Sequence, residues 1–149
     1  MNKERIAIAS DHAGFWLKEK LFRYLTQDGY EVKDLGTNSD ESTDYPEFGH
    51  ALARYIIEKR ADFGISICGS GNGINMVVNK YNEIRSALCW STEISRLARA
   101  HNNANICAIP GRFLNYELAI LIIKTFIETP FDGGRHERRV NKIDTKRSI

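Results

Sequence analysis

Phe63-Gly-Ile-Ser-Ile-Cys-Gly-Ser-Gly-Asn-Gly73 is the stretch that decides the fold. Its first half, Phe63 to Ile67, is a short apolar run without alternation, the pattern of a strand buried on both faces. From Ile67 a thiol leads into a glycine-rich turn, and the residues from Ile74 to Lys80 read as a helix. Strand, glycine turn and helix in that order make a β-α unit. Glycines let backbone N–H groups close on an anion, and a helix N-terminus adds partial positive charge. The same field favours a thiolate over a thiol, which makes Cys68 a candidate base.

Several common turn motifs nearly fit here and fail. A dinucleotide fingerprint needs G-x-G-x-x-G after the first strand, whereas this turn reads Gly69-Ser-Gly71-Asn-Gly73 and comes late in the chain. The Gly-Lys-Ser/Thr of a Walker A loop is missing. A serine-hydrolase elbow fails around Ser70 because Cys68 and Asn72 flank it. Ile74 stands where a cysteine phosphatase would carry its arginine. The plain alternative is a tight turn beside a buried structural thiol.

Outward from this unit the pattern repeats. Ile6 to Ala9 is another buried strand, followed by a helix from about Gly14 to Gln27 that Asp28-Gly29 ends. Glu31 to Leu35 is a second strand, and Pro46 opens a second helix with Phe48, Leu52, Tyr55 and Ile56 on one face. Ile84 to Cys89 is strand four, with Ser91 or Thr92 capping a helix to about Ala100. Asn105 to Ile109 is strand five, and Leu114 to Ile127 is a helix with a wide apolar face. Five such units predict an α/β fold, a Rossmann-like three-layer sandwich around a five-stranded parallel sheet.

Composition sets the bounds. The 149 residues read as one domain, with a basic segment from about residue 133 that runs through Arg135, Arg138, Arg139, Lys142, Lys146 and Arg147. Taken alone, that segment is a solvated tail. A net charge of +2 is too small to argue for nucleic acid. No apolar run approaches the ~20 residues that span a bilayer, and the N-terminus does not read as a signal peptide. Three cysteines, Cys68, Cys89 and Cys107, without a C-x-x-C pair point to a reducing cytoplasm. His12, His50, His101 and His136 show no ligand spacing, so neither a metal nor another cofactor is expected.

Ligands of such sheets bind at the carboxyl ends of the strands. Asp11 and His12 follow strand one, Tyr45 lies in the loop after strand two, and Cys68 to Gly73 follow strand three. Gly111 and Arg112 follow strand five. All fall at one edge, although Asp11 alone would read as a cap, Tyr45 as packing and Arg112 as surface charge. His101 and Asn102 end helix four, at the opposite edge and too far from Cys68 in the same chain. His101 is therefore an ordinary helix C-terminal histidine or belongs to a neighbouring subunit's site. The wide apolar face of the last helix permits a dimer.

Asp11-His12-Ala-Gly, Thr43-Asp-Tyr45-Pro46, Cys68-Gly-Ser-Gly-Asn-Gly73, His101-Asn102, Arg112 and Gly133-Gly-Arg-His-Glu-Arg-Arg139 lie in order along the chain. This set resembles ribose-5-phosphate isomerase type B, in the sugar-phosphate isomerase group that also holds the galactose-6-phosphate isomerase subunits. The resemblance implies a metal-free aldose–ketose isomerase, a homodimer or homotetramer, that interconverts ribose 5-phosphate and ribulose 5-phosphate. It implies Cys68 as the base, since Ile74 stands at the position where other members carry a Glu, and Ser70 stands where some have Thr. It implies His101 as the acid that opens the sugar ring, assisted by Asp11 or Tyr45. The amides from Gly69 to Gly73 then serve the developing oxyanion. Arg112, Arg135 and Arg139, with His12 and His136, are the candidates for the phosphate, because arginine pairs with phosphate oxygens bidentately. The competing readings are a hexose-6-phosphate (allose or galactose) isomerase and a non-catalytic sugar-phosphate-binding regulator. A mere binding module has no need of Cys68 and His101 together.

Overall fold

The computed structural model describes residues 3–145. Lys146 and Arg147, the end of the basic segment, lie outside the described residues. Strands β1 (Arg5–Ser10), β2 (Glu31–Asp34), β3 (Phe63–Cys68), β4 (Ser86–Leu88) and β5 (Ile106–Pro110) form one sheet in the order β2-β1-β3-β5-β4. Every neighbouring pair is parallel. Between them run α1 (Phe15–Gln27), α2 (Tyr45–Ile57), α3 (Asn72–Val78), α4 (Thr92–Asn102) and α5 (Tyr116–Glu128), and α6 (Arg135–Val140) follows. The expected α/β sandwich with a five-stranded parallel sheet is the architecture found.

The two faces of the sheet differ because side chains alternate along each strand. Ile6 and Ile8 of β1, with Ile65 and Ile67 of β3, meet Leu21, Leu25, Ile122 and Phe126 in the layer of α1, α4 and α5. Ala7 and Ala9 point the other way, against Leu52, Ala53 and Ile56 of α2 and Val78 of α3. Each large aliphatic group buried in these layers contributes roughly 1.5–3 kcal/mol. The alanines leave room for α2 to lie close to the sheet. Gly49 of α2 in turn meets α3 so tightly that an added Cβ would stand 2.8 Å from Val77 Cγ1.

Several boundaries depart from the sequence reading: α3 spans Asn72–Val78 in place of Ile74 to Lys80, α4 runs on to Asn102, and two further departures have a visible local reason. Strand β4 is three residues long instead of the expected run from Ile84 to Cys89. The Arg85 N–H donates to Asn105 Oδ1 at 2.8 Å, and the Asn79 side chain pairs with both backbone groups of Ser86. Side-chain amides thus replace ladder bonds at the start of this edge strand. Helix α5 starts after Leu114 because the Asn115 Oδ1 accepts the Leu118 N–H at 2.8 Å and caps it.

The wide apolar face of α5 is not spare. Ala119, Ile122, Ile123, Phe126 and Ile127 are buried within the chain, and Leu121 is its exposed large apolar residue. The argument that this face is left over for a dimer fails. Arg135–Val140 of the basic segment form α6, a helix with no buried residue, in place of a frayed tail there. Among the described residues no helix is long and apolar enough to cross a membrane.

Candidate active site

The chain leaves β1 for β2 on one side and later enters β3 on the other. The crevice of such a sheet opens where the order reverses, here between the carboxyl ends of β1 and β3. Asp11 follows one strand and Cys68 ends the other. The Asp11 N–H donates to Ile67 O at 3.3 Å and ties the two strand ends together. Both side chains are nearly covered, Asp11 at 5 % and Cys68 at 4 % of full exposure.

Asp11 also has the structural role that its position suggested. Its Oδ1 accepts the N–H groups of Ala13 at 3.0 Å and Gly14 at 3.2 Å, starting the single helical turn before α1. His12 is fixed by Thr43, whose role the sequence did not reveal. The His12 N–H donates to Thr43 Oγ1 at 3.1 Å, and the Thr43 N–H donates to the ring Nδ1 at 3.1 Å. The same Nδ1 lies 3.2 Å from Thr43 O, so the ring is held through Nδ1 by the Thr43 backbone and leaves Nε2 unengaged by Thr43.

The turn after Cys68 is zipped to the turn after β5. The Gly111 N–H donates to Cys68 O at 2.9 Å and the Arg112 N–H to Gly69 O at 3.0 Å. The Arg112 guanidinium lies over Gly69, where an added Cβ would stand 3.3 Å from Nη1. Gly71 has φ +76°, and a Cβ there would meet Leu88 Cδ1 at 2.5 Å and the Ile109 backbone at 3.0 Å. Only glycine suits that position. A Cβ at Gly73 would sit 2.6 Å from Tyr45 Cζ, because Tyr45 is the first residue of α2 and lays its ring over the turn. Ser70 Oγ accepts the Asn72 N–H at 3.2 Å, which withdraws that amide from the expected oxyanion cradle.

Asp11, His12, Tyr45, Cys68 to Gly73 and Arg112 therefore meet at one crevice. The other candidates do not. His101 lies on the last turn of α4, before the amino end of β5. The sheet is about 17 Å deep there, at ~3.3 Å per residue along the six residues of β3. His101 stacks on His136, with ring centroids 4.2 Å apart and planes 9° from parallel. The Asp132 N–H donates to Ala100 O at 3.0 Å, and its Oδ2 stands 4.0 Å from His101 Nε2.

This geometry corrects two expectations. Arg135, His136 and Arg139 do not join Arg112 and His12 within one chain, because α6 packs against α4 at the amino edge. The histidines also are not all without ligand geometry. His101, Asp132 and His136 bring one ligand atom each within 4.8 Å of the others. Asp132 carried no signal in the sequence. Asn102 lines a cleft of about 580 Å³ at the amino edge, with Lys80, Arg85 and Asp144, and not the crevice at Cys68.

The remaining candidates are structural. His50 Nδ1 and the Tyr81 hydroxyl hydrogen-bond at 2.7 Å, joining α2 to the turn after α3. All three cysteines are free. Cys107, hydrogen-bonded to Cys89 and wholly buried, has its thiol pushed well above the usual range. Cys68 is thus the thiol at the site.

A parallel α/β sandwich with a thiol and a glycine-rich turn at its switch point is the frame of a small-molecule enzyme or binding protein. The chain belongs to the ribose/galactose isomerase family, whose model matches residues 6–143. The resemblance read from the sequence is thereby borne out. Ribose-5-phosphate isomerase B of Escherichia coli K12 is 39% identical over 140 residues, covering 94% of each chain. A ribose 5-phosphate isomerase of Thermotoga maritima superposes with a TM-score of 0.93 at 55% identity, over 95% of this chain and 97% of that one. The isomerase B of Mycoplasma genitalium, solved with bound ribulose-5-phosphate, gives 0.88 at 40% identity over 93% of each chain.

Proposed function

We propose that the chain is an aldose–ketose isomerase that interconverts D-ribose 5-phosphate and D-ribulose 5-phosphate, with each site shared between two chains. The carrying observation is Cys68 at the β1–β3 crevice, beside Asp11 and the glycine turn, in a chain of this family. The relative solved with ribulose-5-phosphate supports the pentose as substrate.

The net change moves one proton from C2 to C1 and one from O2 to O1. Before it, an acid donates to the ring oxygen while the anomeric hydroxyl gives up its proton to a base or water, and the C1–O bond to the ring opens to a C1 aldehyde. The Cys68 thiolate takes the proton from C2, and the pair left behind forms the C1–C2 double bond of an enediolate. The charge then on O1 is met by free amides of the Gly69–Gly73 turn, each good donor contributing about 3–4 kcal/mol in comparable sites. Cys68 returns the proton to C1, and the O2 hydroxyl proton passes to O1, so the C2 ketone and the neutral C1 hydroxyl form together and the thiolate is regenerated. His12 and Arg112 serve the phosphate from the same chain.

His101, Asn102, Arg135, His136 and Arg139 serve the partner's site in this reading. Apolar surface at the carboxyl edge supports a partner there. Met76, Trp90 and Phe113, on α3 and the turns after β4 and β5, are all more than half exposed. Three free thiols suit a reducing cytoplasm.

The test is turnover by chelator-treated protein on ribose 5-phosphate, with allose 6-phosphate alongside. Conversion of the pentose, with solvent deuterium entering C1 of the ribulose 5-phosphate, is the expected result. A marked preference for the hexose overturns the substrate. Binding of both sugars without turnover would return the chain to a regulator.

A further inference from the structure

We propose that His101, Asp132 and His136 form a site for a borderline divalent cation, zinc above all, which clamps α6 onto the end of α4. Two imidazoles and one carboxylate are a donor set that zinc favours. The three ligand atoms already lie within 4.8 Å of one another. Tetrahedral zinc, with ligands at about 2.0–2.1 Å, needs them roughly 3.4 Å apart. The side chains of His101 and Asp132 are 39 % and 54 % exposed, so rotation about their own bonds closes a gap of that order.

The backbone holds the three positions in register. Asp132 is pinned by its N–H to Ala100 O, one residue before His101, and His136 by its N–H to Gly133 O at 3.1 Å. The rings lie nearly parallel at 4.2 Å, an arrangement that two imidazolium ions would disrupt. An uncharged imidazole is the form that ligates. Charges nearby act against a dication. Arg135 and Arg139 face His136, and Arg96 faces Asp132. They are exposed and screened, so they weaken the site without abolishing it, and the affinity falls in the micromolar range rather than that of a structural zinc site.

The binding does not depend on any catalytic role for His101. The effect of zinc on turnover does, because the imidazole nitrogen that holds the metal carries no proton to give. The probe is zinc alone, titrated into the full chain and followed by the imidazole resonances, with cobalt absorption as a second readout. One metal per chain, shifting His101 and His136 and sparing His12 and His50, is the expected result. Asp132→Ala and His136→Ala should each weaken binding at least about tenfold, while Cys68→Ser keeps it. Shifts confined to His12, loss of binding in Cys68→Ser, or equal binding in both ligand variants would overturn the site. Zinc bound at His101 with turnover unchanged leaves the site standing and removes His101 from the reaction.

Discussion

The two edges of the sheet are built differently. At the carboxyl edge Asp11 and Cys68 are nearly covered, held by strand ends and by turns bonded to each other. At the amino edge His101, Asp132 and His136 stand half out of the protein, on the last turn of one helix and around a short helix with no buried residue. The first group is fixed by the same bonds that make the fold. The second rests on a ring stack and one backbone bond to Ala100. In the proposed site drawn from two chains, the rigid group comes from one chain and the loosely held group from its partner.

The largest effect is expected at the rigid edge. Cys68→Ser should keep the fold and sugar-phosphate binding and lower kcat by roughly 10²–10⁴, since a hydroxyl gives up its proton far less readily than a thiol. Iodoacetamide should inactivate the wild type slowly, with protection by substrate. Turnover near the wild type in this variant would take the reaction away from the crevice.

Mixing tests whether the two edges work on different chains. Cys68→Ser and His101→Ala chains, each nearly inactive on closed-ring substrate, should recover about a quarter of wild-type activity per site, because random pairing makes about half the dimers mixed and each of those has one complete site. Subunit exchange confirmed by mass spectrometry, with no recovery, would mean that both groups act in one chain or that His101 does not act.

Arg139→Ala sits lower on the scale. Its loss should raise KM for the phosphorylated sugar about 10- to 100-fold, the weight of a charge-assisted pair, and leave Tm nearly unchanged. The preference for ribose 5-phosphate over ribose should shrink with it. An unchanged preference would return Arg139 to plain surface charge.

The smallest effect is a pH dependence confined to the amino edge. His136 is depressed in the folded chain, by desolvation and by its neighbour His101, so below the ordinary histidine value the folded state binds fewer protons than the unfolded one. The docking of α6 should be complete above about pH 6.5 and weaken as pH falls through and below that value. Hydrogen exchange of α6 amides should accelerate there while those of β1 and β3 do not. Uniform acceleration across both regions would erase the contrast.

Much of this was legible in the chain. The apolar runs at Ile6 to Ala9 and Phe63 to Ile67, with turns behind them, placed Asp11, His12 and Cys68 correctly at one edge. Local pattern ended where side chains replace backbone. Asn79 and Asn105 shorten β4, and Asn115 delays α5, because an amide side chain can mimic a peptide group. Thr43 meets His12 across 31 residues, and nothing in a threonine announces that contact. Asp132 reaches His101 only because the chain folds back after α5. The apolar breadth of α5 is used within the chain, since a helix flanked by two others buries more than one stripe.

Ala7 and Ala9 carry a further consequence. They are the spacer between the sheet and α2, and the first residue of α2 is the tyrosine that roofs Gly73. Two methyl groups in the middle of the protein therefore gauge the height of a ceiling several residues away. Ala9→Val would lift α2 and, with it, Tyr45. The opening above the glycine turn would widen without any change among the residues that line it. The width of the opening above the glycine turn is thus set in part from beneath α2, by residues that are not among its walls.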